Sequence, residues 1–183
     1  ITWKYNRMIH NYKKKLTVLI LCGGVGSRLG EIGKKIPKTL LKINKKPILE
    51  YIINNILESG IEEIYISGFY KISQIRKYIK KSKSKNIKCF NDGNISILKR
   101  IKKNLKRTNN DLLVCYGDEI SNVNIRLIIK KHNISKKLLT ITTAKLKSNF
   151  GFLKKTDIGF EFNEKPYLGN FNIGFMIFDR QNV

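Results

Sequence analysis

Two patterns of apolar and polar residues along this chain distinguish its predicted strands from its predicted helices. Continuous aliphatic and β-branched runs that are too short for a helix indicate buried parallel strands, and the strongest run covers 16–22. Apolar residues three and four positions apart indicate helices with one buried face, as over 48–60, where Pro47 suits the helix start. The residues predicted to point inward from this helix are Ile48, Ile52, Ile53, Ile56 and Leu57.

The same patterns give an order of elements for the whole chain. Strands are predicted over 16–22, 62–67, 87–90, 111–116 and 138–143, and helices over 48–60, 71–81, 95–105 and 124–132. Short β-like pieces follow at 150–153, 159–162 and 172–178. Alternating strands and helices with a β-rich end predict an α/β protein of Rossmann-like, three-layer α/β/α architecture with a mixed sheet.

The first strand ends in a glycine-rich turn that bears Gly23, Gly24 and Gly26, followed by Arg28 and, ten residues later, Lys38. Glycines lack a Cβ, so the backbone N–H groups of such a turn can approach an anion closely. An arginine fork suits phosphate oxygens, and a lysine adds a compact charge. Because open α/β sheets bind ligands at the carboxyl ends of their strands, we expect a phosphate-binding loop here.

Two common phosphate loops do not fit these residues. The dinucleotide pattern needs a third glycine where Leu29 stands. The Walker pattern needs a glycine in place of Arg28, and a serine or threonine in place of Lys35 after Gly33 and Lys34. A glycine-rich turn with scattered basic residues remains the alternative to a binding loop.

A second group of chemically active residues follows the strand over 111–116, which ends in Gly117, Asp118 and Glu119. If the strands are parallel, these carboxylates lie at the same sheet edge as the glycine-rich turn. Carboxylates beside a polyphosphate require a cation between them, and Mg²⁺ prefers oxygen ligands. The alternative is a turn in which Asp118 caps a helix.

Length and composition fit one globular domain, whereas the charge is unusual. The chain has 183 residues, of which 42% are hydrophobic and 27% charged. Its net charge of +24, taken alone, indicates a nucleic acid or another anionic partner. The lysines are spread along the whole chain without a nucleic-acid motif, so a general compositional bias is the favoured interpretation and nucleic acid the weaker one.

The cysteines and the lengths of the apolar runs indicate the cellular compartment of the protein. Cys22, Cys89 and Cys115 lie in strand-like runs without C-x-x-C spacing, so we expect small buried thiols rather than a zinc site or a disulfide. No apolar stretch approaches the roughly 18 residues of a membrane span, and the first 15 residues lack a signal-peptide core. A cytoplasmic protein with no membrane partner is expected.

Four segments occur in the order found in a known family. They are GGVGSRL over 23–29 with Pro37 and Lys38, YGD over 116–118, FNEKP over 162–166, and NIG over 172–174. With these segments the chain resembles the sugar-1-phosphate nucleotidylyltransferases over about 15–178. The resemblance implies an enzyme with the nucleotide-diphospho-sugar transferase type of fold.

Within that family, 116–178 is most similar to glucose-1-phosphate cytidylyltransferases, which implies CTP and glucose-1-phosphate as substrates. The family's T-G-G-R-L-K-R stretch is replaced over 94–100 by a run without the glycines and the first arginine. The contacts that this stretch makes to the base and the triphosphate in the family are therefore not carried over to this chain. The family also has a second magnesium-binding Asp downstream, and the chain ends at Val183 before that position. We therefore expect a nucleotidylyltransferase domain over 15–183, incomplete at its C-terminal end, after a basic extension over 1–14.

The resemblance also implies roles for individual residues. Catalysis would rest on Arg28, Lys38 and Asp118, with Asp118 as the magnesium ligand. Of the substrate-binding residues, Glu164 and Lys165 would hold the sugar phosphate and Asn172 would touch the sugar hydroxyls. The nucleotide would be held by Leu21, Cys22, Gly23, Gly24, Val25, Gly26, Ser27, Arg28, Lys38 and Gly117.

The expected partners are a nucleoside triphosphate, with CTP favoured, and a sugar-1-phosphate; homo-oligomerisation is left open. Transfer of the nucleoside monophosphate would give an NDP-sugar and pyrophosphate, with Mg²⁺ as cofactor. Two alternatives differ in class. One is a non-catalytic or truncated relative that binds a sugar nucleotide, and the other is a basic nucleic-acid-binding domain.

Overall fold

The structure is a computed structural model, and it describes residues 15–81 and 86–181. Two compact units make up the chain: the first comprises Ile1–Thr140 and Gly174–Val183, and the second comprises Ile141–Ile173. The basic extension expected over 1–14 lies outside the described residues. The single domain expected over 15–183 stays a prediction.

The first unit contains strands and helices in alternation. Its strands are β1 (Leu16–Cys22), β2 (Lys42–Ile43), β3 (Lys46–Pro47), β4 (Glu63–Gly68), β5 (Ile87–Asn91) and β6 (Asp111–Tyr116). Its helices are α1 (Gly30–Lys35), α2 (Ile48–Glu58), α3 (Ile72–Lys81), α4 (Ile97–Leu105) and α5 (Ile125–Ser135), with 3₁₀ turns at Ser27–Leu29 and Lys38–Leu40. The remaining strands are β7 (Leu139–Lys147), β8 (Phe152–Thr156), β9 (Gly159–Asn163) and β10 (Tyr167–Phe178).

The central sheet is mixed, as expected, and has the order β5-β4-β1-β6-β10-β7. Strand β1 is parallel to β4 and to β6, so that Leu21 lies between Ser67 and Tyr116. Strand β10 is antiparallel to β6, with Met176 opposite Val114. The carboxyl ends of β1, β4 and β6 therefore meet at one edge of the sheet, and the turns that follow them lie together.

Helices cover both faces of the sheet, which confirms the three-layer α/β/α architecture. Because side chains alternate along a strand, Val18 and Ile20 of β1 point to one face and Leu19 and Leu21 to the other. The first pair belongs to a buried cluster with residues of α2, α3 and α5. The second pair belongs to a cluster with residues of α4, including Ile101.

Helix α2 follows its predicted pattern in all but two details. Its inward residues Ile48, Ile52, Ile53 and Ile56 are buried, but Leu57 was wrongly expected to be buried and is 43% exposed. Pro47 caps the helix rather than forming its first turn, with φ −59° and ψ 147°. Its extended ψ lets Pro47 also end strand β3, which pairs with β2.

The second unit, described by itself, contains an antiparallel hairpin. Strands β8 and β9 pair from Phe152 opposite Asn163 to Thr156 opposite Gly159. The β-like pieces predicted here are confirmed, although the first begins at Phe152 rather than two residues earlier. Strands β7 and β10 each run from one unit into the other. Across 15–81 and 86–181, no helix is long and apolar enough to cross a bilayer.

Candidate functional site

The glycine-rich turn after β1 has the left-handed backbone that glycine favours. Gly26 has φ +67° and ψ 37°, and its carbonyl accepts the N–H of Leu29 at 2.9 Å, which starts a 3₁₀ turn. A Cβ built on Gly33 of α1 would lie 2.7 Å from the Gly26 carbonyl oxygen. Glycine is therefore required at Gly26 for its φ and at Gly33 for close packing against the loop.

Lys38 and Asp118 form an ion pair where two strand ends meet. Lys38 Nζ donates to Asp118 Oδ2 at 2.6 Å, across 80 residues of sequence. Pro37, with φ −64°, precedes Lys38 and starts the 3₁₀ turn that presents it. Lys38 also lies beside the glycine-rich turn, because a Cβ built on Gly26 would be 3.9 Å from the Lys38 Cβ. A cation and a carboxylate are thus held together at the edge where ligands bind.

Gly117 allows the end of β6 to pack tightly against the end of β1. Its N–H donates to the Leu21 carbonyl at 2.9 Å. A Cβ at this position would lie 2.5 Å from Cys22 Sγ and 3.0 Å from Thr39 Cγ2. No larger residue fits without moving these neighbours. Gly117 therefore sets the distance between Asp118 and the glycine-rich turn.

Glu119 adds a second carboxylate next to Asp118. Burial and the charge of Asp118 raise the pKa of Glu119, and Lys38 opposes the rise. The Glu119 carboxylate lies where a side chain on Gly174 would be, and Gly174 has φ +80°. The charge of Asp118 thus disfavours the ionised form of Glu119, and a neighbouring pair of carboxylates suits a hard divalent cation.

The other predicted residues are distributed between the two units. Arg28 is exposed in the 3₁₀ turn of the first unit. Glu164, Lys165 and Asn172 belong to the second unit and are exposed. Lys165 has φ +46° and its Nζ lies 3.8 Å from Glu164 Oε1. The structure brings together the glycine-rich turn, Lys38, Gly117 and Asp118. The roles assigned to all these residues remain predictions.

A buried polar network that the sequence did not predict lies beside the glycine-rich turn. Asp92 is 4% exposed and accepts hydrogen bonds from Ser67, Asn104 and Arg107. Burial alone would raise the pKa of Asp92, but these hydrogen bonds outweigh it and hold the pKa well below its usual range. Arg100 is 5% exposed and donates to the same Ser67 hydroxyl at 3.3 Å.

Asp111, His132 and Asp179 form another buried group, at the opposite edge of the sheet. One ligand atom of each lies within 4.8 Å of the others, with His132 Nε2 4.0 Å from Asp111 Oδ2. Asp111 pairs with Leu16 at the amino end of β1, whereas the glycine-rich turn follows the carboxyl end. This group is therefore separate from the magnesium site predicted at Asp118.

The cysteines are thiols that fill apolar space. Cys22 and Cys115 are buried and unpaired in disulfides, as expected, whereas Cys89 is only partly buried. Burial raises the pKa of Cys22 well above its ordinary value and raises the pKa of Cys115 to about 12. Neither is a thiolate at neutral pH, so neither offers a nucleophile.

Comparison with known proteins identifies the family. The family model described as nucleotidyl transferase matches residues 17–182. The D-glycero-alpha-D-manno-heptose 1-phosphate guanylyltransferase of Campylobacter jejuni is 32% identical over 161 residues, covering 83% of this chain and 70% of the relative. A probable glucose-1-phosphate cytidylyltransferase of Bacillus subtilis is 27% identical over 188 residues, covering 88% and 74%. The chain belongs to the nucleotidyl transferase family.

A solved structure agrees on the fold. HddC from Yersinia pseudotuberculosis, complexed with GMP-PN, superposes with a TM-score of 0.70 at 23% identity, covering 90% of this chain and 77% of that one. The family model and the two relatives, rather than this structure, confirm the resemblance to sugar-1-phosphate nucleotidylyltransferases as the class of enzyme. The relatives named above differ in both nucleotide and sugar, so the class alone does not give the substrates.

Proposed function

We propose that this enzyme transfers a nucleoside monophosphate to a sugar-1-phosphate with the triphosphate held between the glycine-rich turn and Lys38. The observation that supports this most is the Lys38–Asp118 ion pair at 2.6 Å, beside Gly26 and at the carboxyl edge of a parallel sheet. A lysine suits a phosphate and a carboxylate suits a metal ion, so the pair matches both parts of a metal-bound nucleotide.

The reaction needs no general base, because the sugar-1-phosphate oxygen is already anionic. That oxygen forms a bond to the α-phosphorus while the bond from the α-phosphorus to the departing pyrophosphate breaks. Arg28 and Lys38 would neutralise the charge that builds up on the phosphate oxygens. Asp118 and Glu119 would hold Mg²⁺, which supplies charge neutralisation when bound. Lys165 and Glu164 would hold the acceptor sugar phosphate.

Two nucleotide donors are supported by different observations. CTP with glucose-1-phosphate follows from the sequence similarity over 116–178 and from the cytidylyltransferase relative of B. subtilis. GTP with a heptose 1-phosphate follows from the C. jejuni relative, whose identity of 32% exceeds the 27% of the cytidylyltransferase. We retain CTP as the first candidate and GTP as the second.

Pyrophosphate release tests both the activity and the donor. CTP, GTP, UTP and dTTP are each incubated with the protein, Mg²⁺ and either glucose-1-phosphate or a heptose 1-phosphate. We expect release that depends on both substrates and is largest with CTP. A preference for GTP with the heptose phosphate would mean that GTP rather than CTP is the donor. The enzyme would still be a sugar-1-phosphate nucleotidylyltransferase. Nucleotide binding without pyrophosphate release in any combination would favour a non-catalytic relative.

The Asp118→Ala variant tests the metal site. We expect turnover to fall by about 10²–10³, because one positioned electrostatic group is worth that much in rate. Thermal melting should be almost unchanged, since the side chain of Asp118 is 33% exposed and exposed ion pairs contribute little to stability. Magnesium-dependent activity equal to that of the wild type would remove Asp118 from the metal site.

A further inference from the structure

We propose that Arg100 is a positioning residue that holds the glycine-rich turn at the place where it meets the triphosphate. The inference rests on the proposed function, in which this turn binds the nucleotide. Arg100 lies in α4, and its guanidinium occupies the space that a side chain on Gly23 would fill.

The contact at Gly23 is close and involves the guanidinium itself. A Cβ built on Gly23 would lie 3.1 Å from Arg100 Nη2 and 3.2 Å from Cζ. Gly23 does not have a left-handed backbone, so the constraint against a side chain at this position comes from the nearness of Arg100 and not from φ. The guanidinium therefore leaves little room for any side chain at the start of the turn.

Hydrogen bonds fix the guanidinium in this place. Arg100 Nη2 donates to the Gly93 carbonyl at 2.8 Å, and Nη1 donates to Ser67 Oγ at 3.3 Å. Gly93 follows β5 and has φ +76°, and Ser67 lies near the end of β4. One planar group thus links the turn after β1 to the end of β4 and to the residues that follow β5.

A carboxylate close to Arg100 favours its charged form. Burial lowers the pKa of Arg100, and the nearby Asp92 carboxylate opposes that effect. Asp92 accepts from Ser67 and Asn104, and Asn104 also donates to the Arg100 carbonyl at 2.9 Å. Because buried polar groups joined by hydrogen bonds form rigid networks, we expect the guanidinium to resist displacement by a methyl group added at Gly23.

This arrangement has a consequence for the enzyme kinetics. If Arg100 sets the position of the turn, its loss displaces the triphosphate site but not the site for the sugar phosphate. The KM for the nucleotide should therefore rise with little change in the KM for the sugar phosphate. A residue that only stabilised the fold would instead lower the active fraction, and hence kcat, with both KM values unchanged.

A double-mutant cycle tests the contact directly. Gly23→Ala alone should raise the nucleotide Kd and KM by about tenfold, because small displacements of binding groups have large effects. Arg100→Gln removes Cζ and both Nη atoms but keeps an amide donor. In the Arg100→Gln background, Gly23→Ala should raise the nucleotide Kd by less than about threefold, because the added methyl then has room.

Arg107→Gln is the matched control. Arg107 donates to Asp92 in the same network, at 2.7 Å and 2.9 Å, whereas the three atoms nearest to a Cβ built on Gly23 all belong to Arg100. In that background Gly23→Ala should retain its full tenfold effect. Thermal melts identify the folded variants, and Arg100→Lys, with a more slender side-chain end, replaces Arg100→Gln if the glutamine variant does not fold.

The outcomes separate this inference from the proposed function. Equal effects of Gly23→Ala in the wild-type and Arg100 backgrounds would overturn the positioning role, as would a fall in kcat with both KM values unchanged. Failure of the wild-type protein to bind any nucleoside triphosphate would instead overturn the proposed function. An effect of Gly23→Ala that shrinks only in the Arg100 background supports the inference.

Discussion

Among the many lysines of this chain, a fixed partner distinguishes Lys38 from its neighbours. Lys34 pairs with Glu31 one helical turn away, and its side chain is 73% exposed. Lys38 instead reaches Asp118 across the fold. An exposed pair such as Lys34–Glu31 contributes at most a few tenths of a kcal/mol, whereas a cation placed against a phosphate can act on the transition state.

Lys38→Ala should therefore lower kcat by a few hundredfold, corresponding to about 3–4 kcal/mol of transition-state stabilisation. Lys34→Ala and Lys35→Ala are the controls, because both residues are basic, exposed and close in sequence. Steady-state kinetics of all three variants at one salt concentration provide the comparison. Equal and small losses would mean that the segment is a basic turn without a catalytic lysine.

The ionisation of Asp92 makes the stability of the folded protein depend on pH. Its side chain is fully buried, and Lys103 Nζ and Arg107 Nη2 lie 3.1 Å and 2.7 Å from Oδ1. The pKa of Asp92 in the folded protein lies below its value in the unfolded chain. The ionised carboxylate therefore contributes stability above about pH 4, and this contribution is lost as the pH falls further.

Asp92→Asn should destabilise the protein by about 1–3 kcal/mol at pH 7, because it weakens the hydrogen bonds that Arg107 and its neighbours make to a buried charged carboxylate. The difference from the wild type should shrink as the pH is lowered from 5 towards 3. Urea unfolding at several pH values measures both effects, with the exposed Glu31→Gln as control. A variant as stable as the wild type at pH 7 would contradict the importance of the network.

Most elements could be predicted because their patterns are local. Strand β1 matches its predicted bounds, since a run of β-branched residues between a lysine-rich segment and glycines has sharp ends. Helix α5 extends to Ser135, three residues beyond its predicted end at His132, because its C-cap Lys136 adopts the left-handed backbone without a glycine. A prediction that places helix ends at a glycine therefore misses this boundary.

The buried network could not be predicted, for a different reason. Ser67, Asp92 and Arg100 are brought together only by the order of β4 and β5 in the sheet and by the docking of α4. Each of them occurs in the sequence as an ordinary polar residue. The glycine-rich turn and Asp118, by contrast, directly follow apolar runs, so that their shared sheet edge could be inferred from parallel pairing alone.

The caps of α5 allow a prediction at the level of one element. Asn124 Oδ1 accepts the N–H of Leu127 at 3.0 Å at the start of the helix. Asn124→Ala should lower the free energy of unfolding by about 1 kcal/mol, which is typical for the loss of an N-cap. Lys131→Ala on the exposed face of the same helix should change it by less than about 0.5 kcal/mol. Urea titrations that gave equal values for the two variants would contradict the capping role.

At the level of the whole molecule, the two edges of the sheet differ in chemistry. The carboxyl edge holds the glycine-rich turn, Lys38 and Asp118, with side chains open to solvent. The amino edge holds Asp111 and His132, both almost fully buried. Of the two edges as described over residues 15–81 and 86–181, the carboxyl edge combines exposed groups with glycines that permit close approach, which is the chemistry that a substrate site needs.

The net charge of +24 concerns the molecule as a whole and leads to the last prediction. Dispersed lysines attract any polyanion through counterion release, which falls steeply with salt. Binding of random-sequence RNA or DNA should therefore be measurable at low salt and weaken by about 10³-fold or more between 50 and 200 mM salt. Nucleotide binding at the glycine-rich turn should weaken far less, because few charges take part and the site is built from fixed groups.

Fluorescence anisotropy with labelled oligonucleotides, compared with calorimetry of the nucleoside triphosphate at the same salt concentrations, measures the two dependences. Lys38→Ala distinguishes them further, since it should reduce triphosphate binding while removing only one of 37 basic side chains that attract a polyanion. Tight oligonucleotide binding that persists at 200 mM salt and prefers one sequence would show that the charge serves nucleic-acid recognition. If Lys38→Ala weakened oligonucleotide binding as much as triphosphate binding, the oligonucleotide would occupy the nucleotide site itself.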